Sequence, residues 1–163
     1  MLTDAQKTNL IKAAKNCLQI ETDVLISLQE NLDNAFVQAV EFIYQSSGRV
    51  VVTGIGKSAI VCQKIVATMN STGTPSLFMH AADAIHGDLG MIQSQDIVLC
   101  ISKSGETPEI KVLIPLVKNL GSKLIAIVAN KQSSLAINAD VVLFTPISQE
   151  AEPNNLAPTA STT

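Results

Sequence analysis

Leu10, Ile11, Ala14 and Leu18, then Val24, Leu25 and Leu28, then Leu32, Phe36, Val37, Val40, Ile43 and Tyr44 fall at three- and four-residue spacing. That is the period of an amphipathic helix and predicts helix over residues 3–47, as two helices, with Asp4 capping the first and Ser46-Ser47-Gly48 stopping the second. Their apolar stripe is expected to serve the core or a subunit contact. From Arg49 short apolar runs alternate with helical patterns. Strands are predicted at residues 49–53, 76–79, 96–101, 123–128 and 140–144, with helices at 57–70, 108–120 and 133–137. On the first of these helices Ile60, Val61, Lys64, Ile65, Thr68 and Met69 describe one face. Residues 80–91 form a polar, Gly-containing loop holding at most a short helix.

Repeated strand-helix-strand units imply an α/β fold, a three-layer αβα sandwich around a doubly wound, five-stranded parallel sheet. With strand order 2-1-3-4-5, the first and third strands are neighbours and the loops after them meet at the switch point, where such sheets bind ligands. Composition supports this. Of 163 residues 47% are hydrophobic and 3% aromatic, which suits one domain of helices packed on a parallel sheet. Beyond Thr145 three prolines interrupt the chain, which ends in a hydroxyl-rich run, Thr159-Ala160-Ser161-Thr162-Thr163. This run would start a helix, and a last helix is expected beyond it.

A net charge of -3 without a Lys/Arg cluster gives nucleic acid no electrostatic footprint. No apolar run reaches the ~18 residues of a membrane span, and no basic segment leads an apolar one at the start, so a cytoplasmic protein with no membrane partner is expected. Cys17, Cys62 and Cys100 read as reduced core thiols.

Chemistry concentrates in two loops. Gly54-Ile55-Gly56-Lys57-Ser58 hands a β-branched strand to a helix N-terminus, an anion site with an added cation. A triphosphate P-loop is excluded, because Val51 stands where its first glycine is needed. A dinucleotide fingerprint fits as Gly54-x-Gly56-x-x-Ala59, but Leu77, Phe78 and Met79 occupy the place of the acidic ribose ligand. The second loop, Ser102-Lys103-Ser104-Gly105-Glu106-Thr107, brings hydroxyls and backbone N–H groups together before a helix, a cradle for a phosphate monoester.

Both histidines, His80 and His86, lie in the polar loop with Asp83 and Asp88. Their spacing matches no zinc signature, and no metal is expected. His80 reads as structural, His86 as a general acid or base. Glu109 sits one turn into the helix after the serine loop, where a carboxylate complements the dipole or does chemistry. Glu150 follows the last strand.

At Gly56-Lys57-Ser58, Ser71-Thr72-Gly73-Thr74-Pro75, His86-Gly87-Asp88-Leu89-Gly90-Met91, Ser102-x-Ser104-Gly105-Glu106 and Leu156-Ala157-Pro158-Thr159-x-Ser161-Thr162-Thr163 the chain resembles the sugar isomerase (SIS) domain, and closely its arabinose 5-phosphate isomerase branch. The resemblance implies reversible interconversion of D-arabinose 5-phosphate and D-ribulose 5-phosphate through an enediol, supplying Kdo for lipopolysaccharide or capsule, without a cofactor. It matches Lys57, His86, Glu109 and Glu150 to catalytic positions, and Gly56, Ser58, Ser102, Ser104, Gly105, Thr107, Ser161 and Thr162 to substrate binding. It also implies a homotetramer with sites shared between subunits. Two departures stand out: Glu152, where members commonly carry Cys before the proline, and Lys103, where they carry Asn. A later histidine in an H-P-G-G motif, and the paired CBS domains of many members, do not fall within residues 1–163. A sugar-phosphate-binding module without catalysis, and an isomerase for another phosphosugar, are the competing expectations.

Overall fold

Two helices precede the first strand in the computed structural model, which describes residues 1–163: α1 (Asp4–Glu30) and α2 (Asn34–Gln45). Thr3, rather than Asp4, caps α1. Its hydroxyl accepts from the Gln6 N–H while the Gln6 side chain accepts from the Thr3 N–H, a reciprocal box that makes Asp4 the first helical residue. Asp33 caps α2 by accepting from the Ala35 N–H at 2.8 Å.

The chain forms two units, one of residues 32–145 and one of Met1–Asn31 with Pro146–Thr163. In the second of these α1 buries no residue, and Leu10, Ile11, Leu18, Leu25 and Ile26 are exposed. Of the two roles expected for this stripe, core or subunit contact, the core role does not hold for α1. A 27-residue helix has only an irregular tail for company within its unit, too little surface to cover an apolar face. Cys17, on this helix, is half-buried rather than a core thiol.

In the larger unit the helical and extended patterns alternate as expected: β1 (Val50–Gly54), α3 (Lys57–Ser71), β2 (Ser76–His80), α4 (Ala81–Ala84), β3 (Ile97–Ile101), α5 (Pro108–Asn119), β4 (Lys123–Val128), α6 (Ser134–Asn138) and β5 (Val141–Phe144). The five strands are parallel in the order β2-β1-β3-β4-β5. One face, through Val50, Val52, Leu99 and Ile125, packs on α2 and α3 by Ala39 and Cys62. The other, through Val51, Val98, Leu124 and Val128, packs on α4, α5 and α6 by Ala84, Ile110, Leu113, Val117 and Leu135. Successive side chains of a strand point to opposite faces, which is why a strand such as Val50-Val51-Val52, apolar at each position, is buried on both.

The buried face of α3 is turned from the expected one. Ala59 and Cys62 are its buried residues, Ile65, Val66 and Met69 pack in part, and Ile60, Lys64 and Thr68 are exposed. Small side chains let the helix come close under the end of β1. A Cβ on Gly54 would stand 3.0 Å from Cys62 Sγ and 3.1 Å from the Ile101 carbonyl oxygen.

At the opposite end of the sheet a buried carboxylate ties the strand starts together. Asp96 Oδ1 accepts from the Arg49 backbone N–H at 2.8 Å, and Oδ2 accepts from Arg49 Nη2 at 3.0 Å and the Gln93 N–H at 2.9 Å. Burial alone would push this carboxyl up, but the hydrogen bonds from the Arg49 side chain, the Arg49 backbone and Gln93 outweigh it and hold it below the usual carboxylate range. Its contribution to stability is thus complete above the ordinary carboxylate pKa and declines as pH falls through the depressed folded value. Asp96→Asn is expected to cost about 2–3 kcal/mol at neutral pH and to flatten the acid limb of the stability curve, checked by urea unfolding across pH.

Candidate functional site

In the sheet register Gly54 stands beside Ile101 on one side and His80 on the other. The loops leaving β1 and β3 therefore start side by side at the carboxyl end of the sheet, at the switch point. Both lead into helices whose first turns lack a side-chain cap: α3 behind Gly56 and α5 behind Thr107. In contrast, α1, α2 and α6 are capped by Thr3, Asp33 and Ser133. Two neighbouring helix starts with uncapped N–H groups make an electropositive floor for an anion. Gly56, at φ 59°, makes the turn that a side chain would strain, and Lys57 and Ser58 open α3, with Lys57 exposed.

The serine loop is braced from within. Ser102, 5% exposed, accepts from the Gly105 N–H at 3.1 Å, and Ser104 Oγ accepts from the Glu106 N–H at 3.2 Å. Two of the backbone donors expected to face a phosphate are therefore spent inside the loop, which corrects that part of the sequence reading. The serine hydroxyls, acting as acceptors inward, keep their own protons to donate to a ligand. Gly105 takes φ 65° and packs where a Cβ would lie 2.2 Å from Ser133 Oγ. Its carbonyl accepts from the Leu135 N–H at 3.1 Å.

Glu106 turns to the same neighbour. Oε1 accepts from the Ser134 N–H at the start of α6, and Oε2 pairs with Lys111 Nζ at 2.5 Å. Hydrogen bonds from Lys111 and then Ser134 hold this carboxyl down at about 2. The interaction is thus intact at neutral pH and weakens only as pH falls from the ordinary carboxylate range toward that value. The Ser134 partner was not legible from the motif, because it lies 28 residues away and meets Glu106 only once β4 has been laid beside β3.

Glu109, in the first turn of α5, has a different environment. Its Oε2 is buried and meets no hydrogen-bond partner in the protein. A buried carboxylate oxygen without a partner is costly, and a catalytic role is one of the reasons such an atom is kept. Glu109→Met is expected to raise the stability of the ligand-free protein by up to about 1 kcal/mol while abolishing turnover, a pairing read by thermal melts alongside assays. A fall in Tm would show the carboxylate to be a structural group. Thr53 Oγ1, at the end of β1 and fully buried, is likewise unpartnered.

The polar loop folds into α4 and a 3-10 turn, Asp88–Met91. Ala81 and Ala84 anchor α4 in the core, leaving His86 exposed in the link between the two helices, ahead of Gly87 at φ 133°. His80 ends β2, with Nδ1 3.9 Å from Asp83 Oδ2 and its ring edge-on to Phe78. No three His, Cys, Asp or Glu side chains form a metal-ligating group. Burial pushes the Cys62 thiol up to about 12 and raises Cys100 further, so neither is a nucleophile at neutral pH.

Lys57, Ser58, His86, Ser102, Ser104, Gly105, Thr107 and Glu109 thus all belong to the sheet unit, and Glu150, Ser161 and Thr162 to the other. There Glu150, 4% exposed, gathers the tail around one oxygen. Oε2 accepts from the Thr159 N–H at 2.9 Å, Thr159 Oγ1 at 3.3 Å and the Ser161 N–H at 3.1 Å. The hydroxyl run forms a short 3-10 turn, Ala160–Thr162, within this arrangement.

Residues 42–163 match the model of the SIS domain. The chain is 48% identical over 159 residues to arabinose 5-phosphate isomerase KdsD of Pseudomonas aeruginosa, covering 98% of this chain and 49% of that protein. It is 48% identical over 155 residues to arabinose 5-phosphate isomerase KpsF of Escherichia coli O6:H1, covering 94% and 47%. The chain spans about half the length of these curated relatives. Among solved structures, E. coli CFT073 c3406 in complex with A5P aligns with a TM-score of 0.92 and 37% identity over 99% of this chain and 84% of that one.

Proposed function

The chain belongs to the SIS domain family, and from that premise we propose that it is the isomerase domain of an arabinose 5-phosphate isomerase. The observation that carries the chemistry is the buried, unpartnered Oε2 of half-buried Glu109, in the first turn of the helix that follows the braced serine loop. A mere phosphate-binding module has no use for a buried anion beside its phosphate loop, whereas an isomerase needs groups that exchange protons with the sugar. The relatives' names and the A5P complex support the choice of substrate.

The 5-phosphate is held by Ser102, Ser104, Thr107 and the uncapped start of α5, binding energy remote from the reacting carbons that fixes the open-chain sugar. A base removes the C2 proton while the C1 carbonyl oxygen gains one, giving an enediol. The O2 proton then leaves as a proton is returned to C1, and the ketose is formed. His86 and Glu150 are the two candidates for the base. Glu109 relays or orients protons, and Lys57 stabilises the developing enediolate charge. No cofactor is required. The exposed apolar stripe of α1 supports assembly into the homotetramer that the family resemblance implies, and a cytoplasmic place in Kdo synthesis fits the substrate.

Assay of the complete gene product against a panel of pentose, hexose and heptose phosphates tests this reading. Turnover of arabinose 5-phosphate above the others is expected. Turnover confined to another phosphosugar would reassign the substrate, and binding without turnover would make the domain a sensor.

A further inference from the structure

We propose that Glu106 is a positioning residue for the phosphate-binding loop, bracing it on α5 and α6 rather than touching the ligand. The inference rests on the proposed function in one respect, that residues 102–107 hold a phosphate.

A carboxylate inside a phosphate cradle would repel the dianion it is meant to help bind. The geometry removes this conflict. Glu106 spends both oxygens away from the cradle, one on the Ser134 N–H and one on Lys111 Nζ. The carboxylate therefore reaches two elements at once, α6 through its first residue and α5 one turn after it begins. Two neighbouring contacts act on the same piece of loop. The Gly105 carbonyl accepts from the Leu135 N–H, and Gly105 lies flush against Ser133. Ser104, whose hydroxyl accepts from the Glu106 N–H, is fixed by the residue that the brace holds. Losing the brace leaves every candidate ligand-contacting side chain in place but frees the backbone that aims Ser104 and Thr107. The cost should fall on phosphate affinity rather than on proton transfer.

Three variants test this: Glu106→Ala, Glu106→Gln, which keeps an acceptor for the Ser134 N–H but gives up the ion pair, and Lys111→Met, which removes the ion pair alone. The readouts are Tm, KM and kcat for arabinose 5-phosphate, and calorimetric affinity for inorganic phosphate. Glu106→Ala is expected to weaken KM and phosphate affinity by a common factor of about ten, with kcat within about twofold of wild type. Glu106→Gln and Lys111→Met, which keep the acceptor for the Ser134 N–H and lose only the ion pair, should both fall about threefold short of wild type in phosphate affinity. Lowered Tm with unchanged KM and phosphate affinity, or a loss carried by kcat, would overturn the proposal. So would full phosphate affinity in both Glu106→Gln and Lys111→Met, should Glu106→Ala fail to fold. Phosphate affinity needs no turnover, so a wild-type protein that binds phosphate without isomerising sugars would refute the proposed activity and leave this test standing.

Discussion

Lys57→Ala is expected to lower kcat by about 10²–10³-fold while KM changes little, the loss produced by removing one donor to a charge that develops only in the transition state. Lys57 opens α3 directly after Gly56, whose positive φ turns the chain out of β1, and it is exposed on a helix start that has no side-chain cap. The cation and the helix dipole thus act at the same point. Under the proposed function the phosphate is held by the hydroxyl protons of the neighbouring serine loop and the uncapped α5 start, which leaves Lys57 for the reacting end of the sugar. Steady-state kinetics with arabinose 5-phosphate checks this. A collapse in affinity with normal turnover of bound substrate would make Lys57 the phosphate's counter-ion instead.

Gly105→Ala should be strongly destabilising for a single added methyl. The residue sits at φ 65°, and the new Cβ would lie 2.2 Å from Ser133 Oγ and 2.6 Å from Ser133 Cβ. Ser133 is 1% exposed and caps α6 by accepting from the Ala136 N–H at 3.2 Å, so it cannot step aside without uncapping that helix. Strain and overpacking together are expected to cost about 3 kcal/mol, a fall in Tm of roughly 6–12 °C, with loss of phosphate binding. Gly56→Ala provides the contrast. It shares the positive φ, but its added Cβ meets nothing within 4 Å, so it should cost less by the overpacking share. Equal Tm losses in the two variants would show that backbone strain alone governs both.

The strand order and the meeting of the two loops were legible from alternating periods, because burial on both faces forces near-continuous apolar strands and one handedness of crossover. The buried face of α3 was not. Periodicity marks the larger apolar residues such as Ile60, whereas close packing under Gly54 selects Ala59 and Cys62. The stripe on α1 shows the converse: helical spacing predicts an apolar face but not what covers it. In the site, Lys57, the serines and Glu109 were visible as residue types at helix starts. The inward use of Ser102 and Ser104 was not, nor the meeting of Glu106 with Ser134, since both depend on which donors the folded loop brings within reach. Glu109's unpartnered oxygen is also a property of packing alone.

Proton transfer through an enediol on a phosphopentose leaves its mark in isotope exchange with the solvent. The complete protein incubated with D-arabinose 5-phosphate in D₂O should form D-ribulose 5-phosphate carrying deuterium at C1, with deuterium washing into C2 of the remaining aldose. Glu150→Gln and His86→Gln, run in parallel, should identify the base by which of them loses the exchange. Ketose formed without solvent deuterium, or exchange unaltered in both variants, would contradict proton transfer through an enediol by either residue.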